Sequence, residues 1–259
     1  MSASLEPPET PGSSPVRVDK SGGRVRQMFG EIAGRYDLLN HLLSLGVDVY
    51  WRRRTVRLAP PRGAAPLLDV CTGTGDLALA YARAAQEASA VVGSDFTPQM
   101  LHLALCKAER EIARQRVQTP LAFVLADAQA LPFADDQFQI VSVAFGLRNV
   151  ADPRRGLREM VRVCRPGGRV VVLEFSQPRN RLFGALYRFY FRHVLPRVGQ
   201  WISGSRLDAY RYLPASVGEF PCGAELASLL KECGLREVQY RPLTCGIATL
   251  YWGIKPDNG

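Results

Sequence analysis

Leu67-Leu68-Asp69-Val70-Cys71-Thr72-Gly73-Thr74-Gly75-Asp76-Leu77-Ala78 carries a short apolar run into a glycine turn and then into a helix start. Without a Cβ, Gly73 and Gly75 let the backbone approach a ligand closely, and the unpaired N–H groups at a helix start point outward. This combination is a cradle for a nucleotide-like molecule. Spacing alone leaves its guest open, because Gly73-x-Gly75-x-x-Ala78 also fits the fingerprint of dinucleotide-binding turns.

Asp69 discriminates between the guests. A carboxylate just ahead of the glycines repels a pyrophosphate and favours a cation, and Asp76 adds to the same field. S-adenosylmethionine carries a sulfonium and an α-ammonium, so the turn leans toward a methyl donor over a dinucleotide or a purely structural bend.

Downstream, strand and helix patterns alternate, which predicts a parallel sheet covered on both faces. Residues 91–95 read as a second strand ending in Asp95, about 20 positions past the turn, where a carboxylate can accept both ribose hydroxyl protons. Thr97-Pro98 opens a helix with an N-cap and a proline in its first turn, and Leu101, Ala104, Leu105 and Ala108 are its expected buried stripe. Residues 121–125 form a third strand that runs into Asp127 and Ala128, placed to meet an adenine amino group and ring nitrogen. A fourth, nearly all-apolar strand over 138–145 leads into Gly146-Leu147-Arg148-Asn149, at a strand end where an open sheet keeps its crevice. Asp152-Pro153 caps the next helix, and Arg165-Pro166-Gly167-Gly168 turns into a fifth strand over 169–175 that carries Glu174. A helix with Leu226, Leu229, Leu230 and Cys233, stopped by Gly234, precedes two strands, 237–243 and 247–254, read as an edge hairpin.

The flanks have a different character. Residues 1–23 mix Pro, Ser and acids without an apolar stretch and read as a disordered tail, neither a secretory signal nor a transit peptide. Residues 24–58 form a helical lid, with Val25, Met28, Phe29 and Ile32 on one face and Tyr36 offering a ring and a hydroxyl to whatever lies beneath. The remainder, 24–259, is one domain, as 259 residues allow. The net charge of +9 is nearly all arginine. Much of it lies in an insertion at about 177–213, where arginines interleave with Phe183, Tyr187, Phe189, Tyr190, Phe191, Trp201, Tyr210 and Tyr212. Charge alone does not choose among a solvated face, nucleic acid and an anionic membrane. Six cysteines without a C-x-x-C or a Cys/His cluster give no metal site and point to reduced thiols in a cytoplasmic protein. No apolar run is long enough to span a bilayer.

Several words in the chain are more specific. They are Met28-Phe29-x-x-Ile32-Ala33-x-Arg35-Tyr36-Asp37, Asn40-x-Leu42-Leu43-Ser44-Leu45-Gly46, Leu131-Pro132-Phe133, Phe145-Gly146-Leu147-Arg148-Asn149-Val150, Leu173-Glu174-Phe175-Ser176-x-Pro178, Arg211-Tyr212-Leu213 and Thr244-x-Gly246. Over residues 24–256 the chain resembles the bacterial quinone-biosynthesis C-methyltransferases, the family of demethylmenaquinone methyltransferase and its ubiquinone-pathway counterpart. The resemblance implies an α/β class I methyltransferase fold, a Rossmann-like seven-stranded sheet of order 3-2-1-4-5-7-6 with helices on both faces. It implies S-adenosylmethionine as methyl donor, held at Thr74, Asp95, Asp127 and Ala128 beside Asp69, Gly73 and Gly75. Cys71 stands where many class I enzymes have a glycine, which makes backbone approach there less close, and Ala144 stands where some ubiquinone-pathway relatives have a serine.

The implied acceptor is a polyprenylated quinol, demethylmenaquinol before a ubiquinone precursor. A ring carbon attacks well only when the ring has phenolate character, so a guanidinium beside the developing oxyanion is the useful group. Arg148 fills that role as an oxyanion partner rather than a base, since arginine does not release its proton in a protein. Asn149 and Tyr36 orient the ring. Residues 179–212 are the expected peripheral contact with the inner face of the membrane, nucleic acid is not an expected partner, and homo-oligomerisation stays open. Two rivals are an RNA methyltransferase, against which the missing N/D-P-P-Y/F motif counts, and a non-catalytic donor- or lipid-binding protein.

Overall fold

The computed structural model describes residues 22–44, 46–85, 87–176, 178, 212 and 216–257. The tail before residue 22 and nearly all of the basic aromatic insertion lie outside the described residues. Two helices, α1 (Gly22–Leu43) and α2 (Val47–Leu58), precede the alternating β1 (Leu67–Val70), α3 (Asp76–Ala84), β2 (Val91–Asp95), α4 (Pro98–Ala113), β3 (Leu121–Leu125) and β4 (Phe138–Ala144). A 3-10 turn (Leu147–Asn149), α5 (Pro153–Val163) and β5 (Cys164–Phe175) follow, and α6 (Ala224–Glu232), β6 (Arg236–Leu243) and β7 (Ala248–Ile254) close the chain.

The seven strands lie in the order β3-β2-β1-β4-β5-β7-β6, as the resemblance implies. β1 to β5 run parallel, and β7 is antiparallel to both of its neighbours. This is the class I methyltransferase fold. Because side chains alternate along a strand, the central strands feed two cores. Leu68, Val70, Val141, Val143, Val170 and Val172 pack beneath α5 and α6, against Leu157, Met160, Leu226 and Leu230. Leu67, Val91, Ile140, Val171 and Leu173 face the other way, toward Leu77 and Tyr81 of α3 and Trp51 of α2. The order reverses at β1, which pairs with β2 on one side and β4 on the other, so a crevice opens beyond their carboxyl ends.

The expected lid is helical, and α1 begins at Gly22, two residues ahead of the boundary drawn from sequence. α2 is pinned by Trp51, which is 2% exposed and donates from Nε1 to Thr244 Oγ1 at 2.8 Å. Its indole packs against Phe145 and Phe175, with ring centroids 5.7 and 6.0 Å away. Among the described residues no helix is long and apolar enough to cross a membrane.

Four local readings change. Leu105 is exposed, and Met100 joins Leu101, Ala104 and Ala108 in the buried stripe of α4; the step from 104 to 105 swings a side chain about 100° round the helix, off the stripe. Thr97 holds the N-cap place without a side-chain cap bond, and its N–H goes to Asp95 instead. β4 ends at Ala144, because Phe145 takes a left-handed φ of 57°. The tetrapeptide 165–168 sits inside β5 as a bulge, where pairing jumps from Phe138–Cys164 to Ile140–Arg169.

Candidate active site

The turn after β1 is built from left-handed residues, Cys71 at φ 52°, Gly73 at 56° and Gly75 at 82°. Asp69 supports it from below. Register places Asp69 beside Ser142 of β4, and its carboxylate accepts hydrogen bonds from Ser142 Oγ and Thr72 Oγ1, each at 2.7 Å. Burial raises its pKa to about 6. Asp69 therefore shapes the turn and does not reach the space above it. Gly75 also serves packing, since a Cβ there would lie 3.0 Å from Ala104 Cβ. Thr74, 2% exposed, donates from its hydroxyl to Asp37 Oδ1 at 2.6 Å and accepts from Lys107 Nζ at 2.9 Å.

Above the turn lies a cavity of about 230 Å³. Gly73, Asp95, Asp127, Ala128, Tyr36 and Asn149 line it, so sequence-predicted residues from five separated segments converge here. Asp95 accepts from the backbone N–H groups of Gly73 and Thr97, both at 2.9 Å. Burial holds its pKa above the usual carboxylate value. Asp127 accepts from the N–H of Gln129 at 2.9 Å, which closes the loop after β3. Phe29, Phe96, Met100, Ala126 and Val150 supply an apolar lining that sequence reasoning missed. Phe29 and Val150 fall inside motif words that gave no hint of this contact; Phe96, Met100 and Ala126 belong to none, and of these three only Met100 had a signal, its place on the α4 face one turn before Ala104.

The wall contains two carboxylates and, among the described residues, neither Lys nor Arg. A pyrophosphate has no cationic partner in such a wall, whereas a sulfonium and an ammonium meet a favourable field. The fit is to S-adenosylmethionine. Cys71 and Ala144 line the same cavity, and burial next to Asp95 and Asp69 pushes the Cys71 thiol well up, which leaves it protonated and inert. A Cβ on Gly146 would collide with the Cys71 Cβ, so the two strand ends touch here.

At the end of β4, Arg148 is 5% exposed and lies behind the cavity wall. Its Nη1 donates to Glu174 Oε1 at 2.7 Å and to the Phe145 carbonyl, and Glu174 Oε2 accepts from the Arg148 N–H at 3.3 Å. The guanidinium carbon sits 5.2 Å from the centre of the Phe175 ring, which itself packs on Phe145 at 4.5 Å. Two buried polar atoms here have no partner, Arg148 Nε and Asn149 Oδ1. Glu174, known from sequence only as a strand-end acid, turns out to be the carboxylate that fixes Arg148. Register offered the signal, because Ala144 pairs with Leu173 and so sets 148, past the end of β4, beside 174, the last residue but one of β5.

A model of the ubiE/COQ5 methyltransferase family matches residues 17–255. The chain is 46% identical over 239 residues to the Ubiquinone/menaquinone biosynthesis C-methyltransferase UbiE of Geobacter sulfurreducens, covering 92% of this chain and 91% of that one. It is 49% identical over 229 residues to the demethylmenaquinone methyltransferase of Thermus thermophilus, covering 88% of this chain and all of the relative. Among solved structures, a SAM-dependent methyltransferase of Thermotoga maritima, described as a possible histamine N-methyltransferase, superposes with a TM-score of 0.60 at 17% identity. It covers 89% of this chain and 99% of its own, a likeness that concerns the fold.

Proposed function

Because the chain belongs to the ubiE/COQ5 methyltransferase family, we propose that it transfers a methyl group from S-adenosylmethionine to a ring carbon of a polyprenylated quinol, converting demethylmenaquinol to menaquinol, with S-adenosylhomocysteine as the leaving group and the displaced ring proton released to solvent. Asp95 takes the ribose hydroxyls, Asp127 and the Ala128 N–H take the adenine edge, and Phe96 and Met100 pack on its faces. Gly73 lets the backbone come close, and Tyr36 roofs the cavity. The donor supplies an electrophilic methyl on a sulfonium; everything else is asked of the protein.

The observation that carries the acceptor assignment is the pair of unpartnered buried atoms, Arg148 Nε and Asn149 Oδ1, at the strand end beside the donor cavity. Native proteins rarely leave such atoms unmatched, so they suit a ligand that brings its own oxygen and hydroxyl. Arg148 stabilises the phenolate that makes the ring carbon nucleophilic, in a site walled from water by Phe145 and Phe175. Glu174 keeps the guanidinium in place and uses up Nη1, which leaves Nε for the acceptor. Asn149 orients the ring. Alignment of sulfur, methyl and ring carbon accounts for a further share of the rate, up to roughly 7–11 kcal/mol in the best cases. A peripheral membrane seat through 179–212, where the isoprenoid tail enters, belongs to the same reading.

Arg148→Lys tests the assignment, since lysine preserves a cation for Glu174 but has no Nε–H. S-adenosylhomocysteine affinity should stay within about threefold of wild type while turnover falls on the order of a hundredfold or more. Parallel loss of affinity and turnover would make Arg148 a purely architectural residue.

A further inference from the structure

We propose that Tyr212 is a further catalytic residue of the acceptor site, its hydroxyl donating a hydrogen bond to the same quinol oxygen that Arg148 Nε holds. This role rests on the quinol-methylation reading. Tyr212 stands in the Arg211-Tyr212-Leu213 word, to which neither the sheet nor the donor cavity gives a task. Among the described residues five buried side-chain polar atoms lack a hydrogen-bond partner: the hydroxyls of Tyr81, Ser94 and Tyr212, Arg148 Nε and Asn149 Oδ1. Tyr81 lies on α3 and Ser94 on β2, away from the end of β4. The other three belong together. Arg148 and Asn149 are neighbours in the turn after β4, and Arg148 is the charged group that bears most on the Tyr212 phenol, ahead of Glu219, Glu174 and Arg24.

Burial pushes that phenol above its ordinary value and Arg148 offsets this only in part, so near neutral pH Tyr212 keeps its proton and acts as a donor. Glu174 would be the natural acceptor nearby, but its carboxylate is already taken. Its Oε1 accepts from Arg148 Nη1 at 2.7 Å and from the Phe175 N–H at 2.9 Å, and Oε2 accepts from the Arg148 N–H at 3.3 Å. The Arg148 Nε–H could itself donate to the Tyr212 oxygen, yet both atoms stay unmatched. Two such groups, buried in one another's field and not bonded, leave a gap that a single oxygen accepting from both would fill. A quinol phenolate is such an oxygen. It has lone pairs for both donors, and the ring carbon that attacks the methyl group lies next to the carbon bearing it. The guanidinium then supplies charge and the neutral phenol a second, directional bond. No bond to Tyr212 forms or breaks: its proton stays on its oxygen while the methyl passes from sulfur to carbon and the ring proton leaves to solvent.

Tyr212→Phe deletes only the hydroxyl, and the full-length protein carrying it separates the possible roles. With reduced short-chain demethylmenaquinone, kcat should fall on the order of a hundredfold, the scale of one lost oxyanion donor, while S-adenosylhomocysteine affinity stays within about threefold of wild type. A simple naphthol bound beside S-adenosylhomocysteine gives a readout without turnover, since its absorbance distinguishes phenol from phenolate. The pH at which it ionises in the complex should rise by about one unit in Y212F. Free of ligand, Y212F should melt no lower than wild type, because it removes an unmatched buried hydroxyl. Three results overturn this role: wild-type turnover in Y212F; lost turnover with naphthol ionisation unmoved; or lost turnover together with a lowered Tm or failure to fold, since the hydroxyl then serves the protein's own structure. A wild type that methylates no quinol would sink the quinol reading and this role together, whereas a silent Y212F in an active wild type would sink the role alone.

Discussion

At Gly146 the fit of the crevice depends on one missing carbon. A Cβ there meets the Cys71 Cβ and lies 3.4 Å from Val143 Cγ2. Gly146→Ala should therefore lose about 1–3 kcal/mol in urea denaturation, with donor affinity falling alongside. Cys71→Gly in the same chain should recover most of both, and a pair that fails to recover would mean the clash is not the cause. Asp69 gives a second residue-scale outcome. Its folded pKa of about 6 exceeds the unfolded value of about 3.9, so its protonated form favours the folded state. The contribution is present in full below about pH 4 and is lost as pH rises through about 6. Asp69→Asn should gain on wild type by on the order of 2–3 kcal/mol between pH 4 and pH 7, and a constant difference over that range would contradict the burial argument. The sequence let Asp69 be seen as an acid near the ligand. That it lies under the turn was not legible, because its direction depends on Ser142, 73 residues away and a neighbour only once β1 and β4 pair.

The elements themselves were read more easily than their ends. Alternating apolar runs and capped helices, such as Asp152-Pro153, whose carboxylate accepts from the Arg155 N–H at 3.1 Å, announce themselves locally. The last residue of β4 did not, since Phe145 looks like strand but is turned left-handed by its place between the aromatic cluster and the cavity. Such backbone strain collects where function needs a side chain redirected. Two variants measure how elements are joined. Trp51→Ala should destabilise the protein by about 3–5 kcal/mol, because α2 loses both its aromatic anchor and its tie to Thr244; a small effect would mean that the lid is fastened elsewhere. Arg148→Ala should cost a similar amount by stranding Glu174, which is 1% exposed. Glu174→Gln in that background should restore much of it.

Over the whole molecule, the proposed donor and acceptor halves of the site come from different parts of the sheet. The turn after β1 and the ends of β2 and β3 make the donor cavity, and its carboxylate-lined wall decides for a cationic guest. The turn after β4 carries Arg148 and Asn149, whose unpartnered buried atoms are the proposed contacts to the acceptor. Motif-bearing residues such as Asp95, Asp127 and Asn149 were legible from sequence because each closes a strand or follows its end within a few residues. Phe96, Met100 and the Glu174 tether were not, since packing places them and no spacing advertises it. The most direct measurement is transfer of a labelled methyl group from S-adenosylmethionine by the purified full-length protein, with reduced short-chain demethylmenaquinone, a reduced ubiquinone precursor and RNA offered separately. Label is expected on a ring carbon of the naphthoquinol, located by mass spectrometry and NMR; transfer to RNA alone, or to none of the three, would contradict quinol C-methylation.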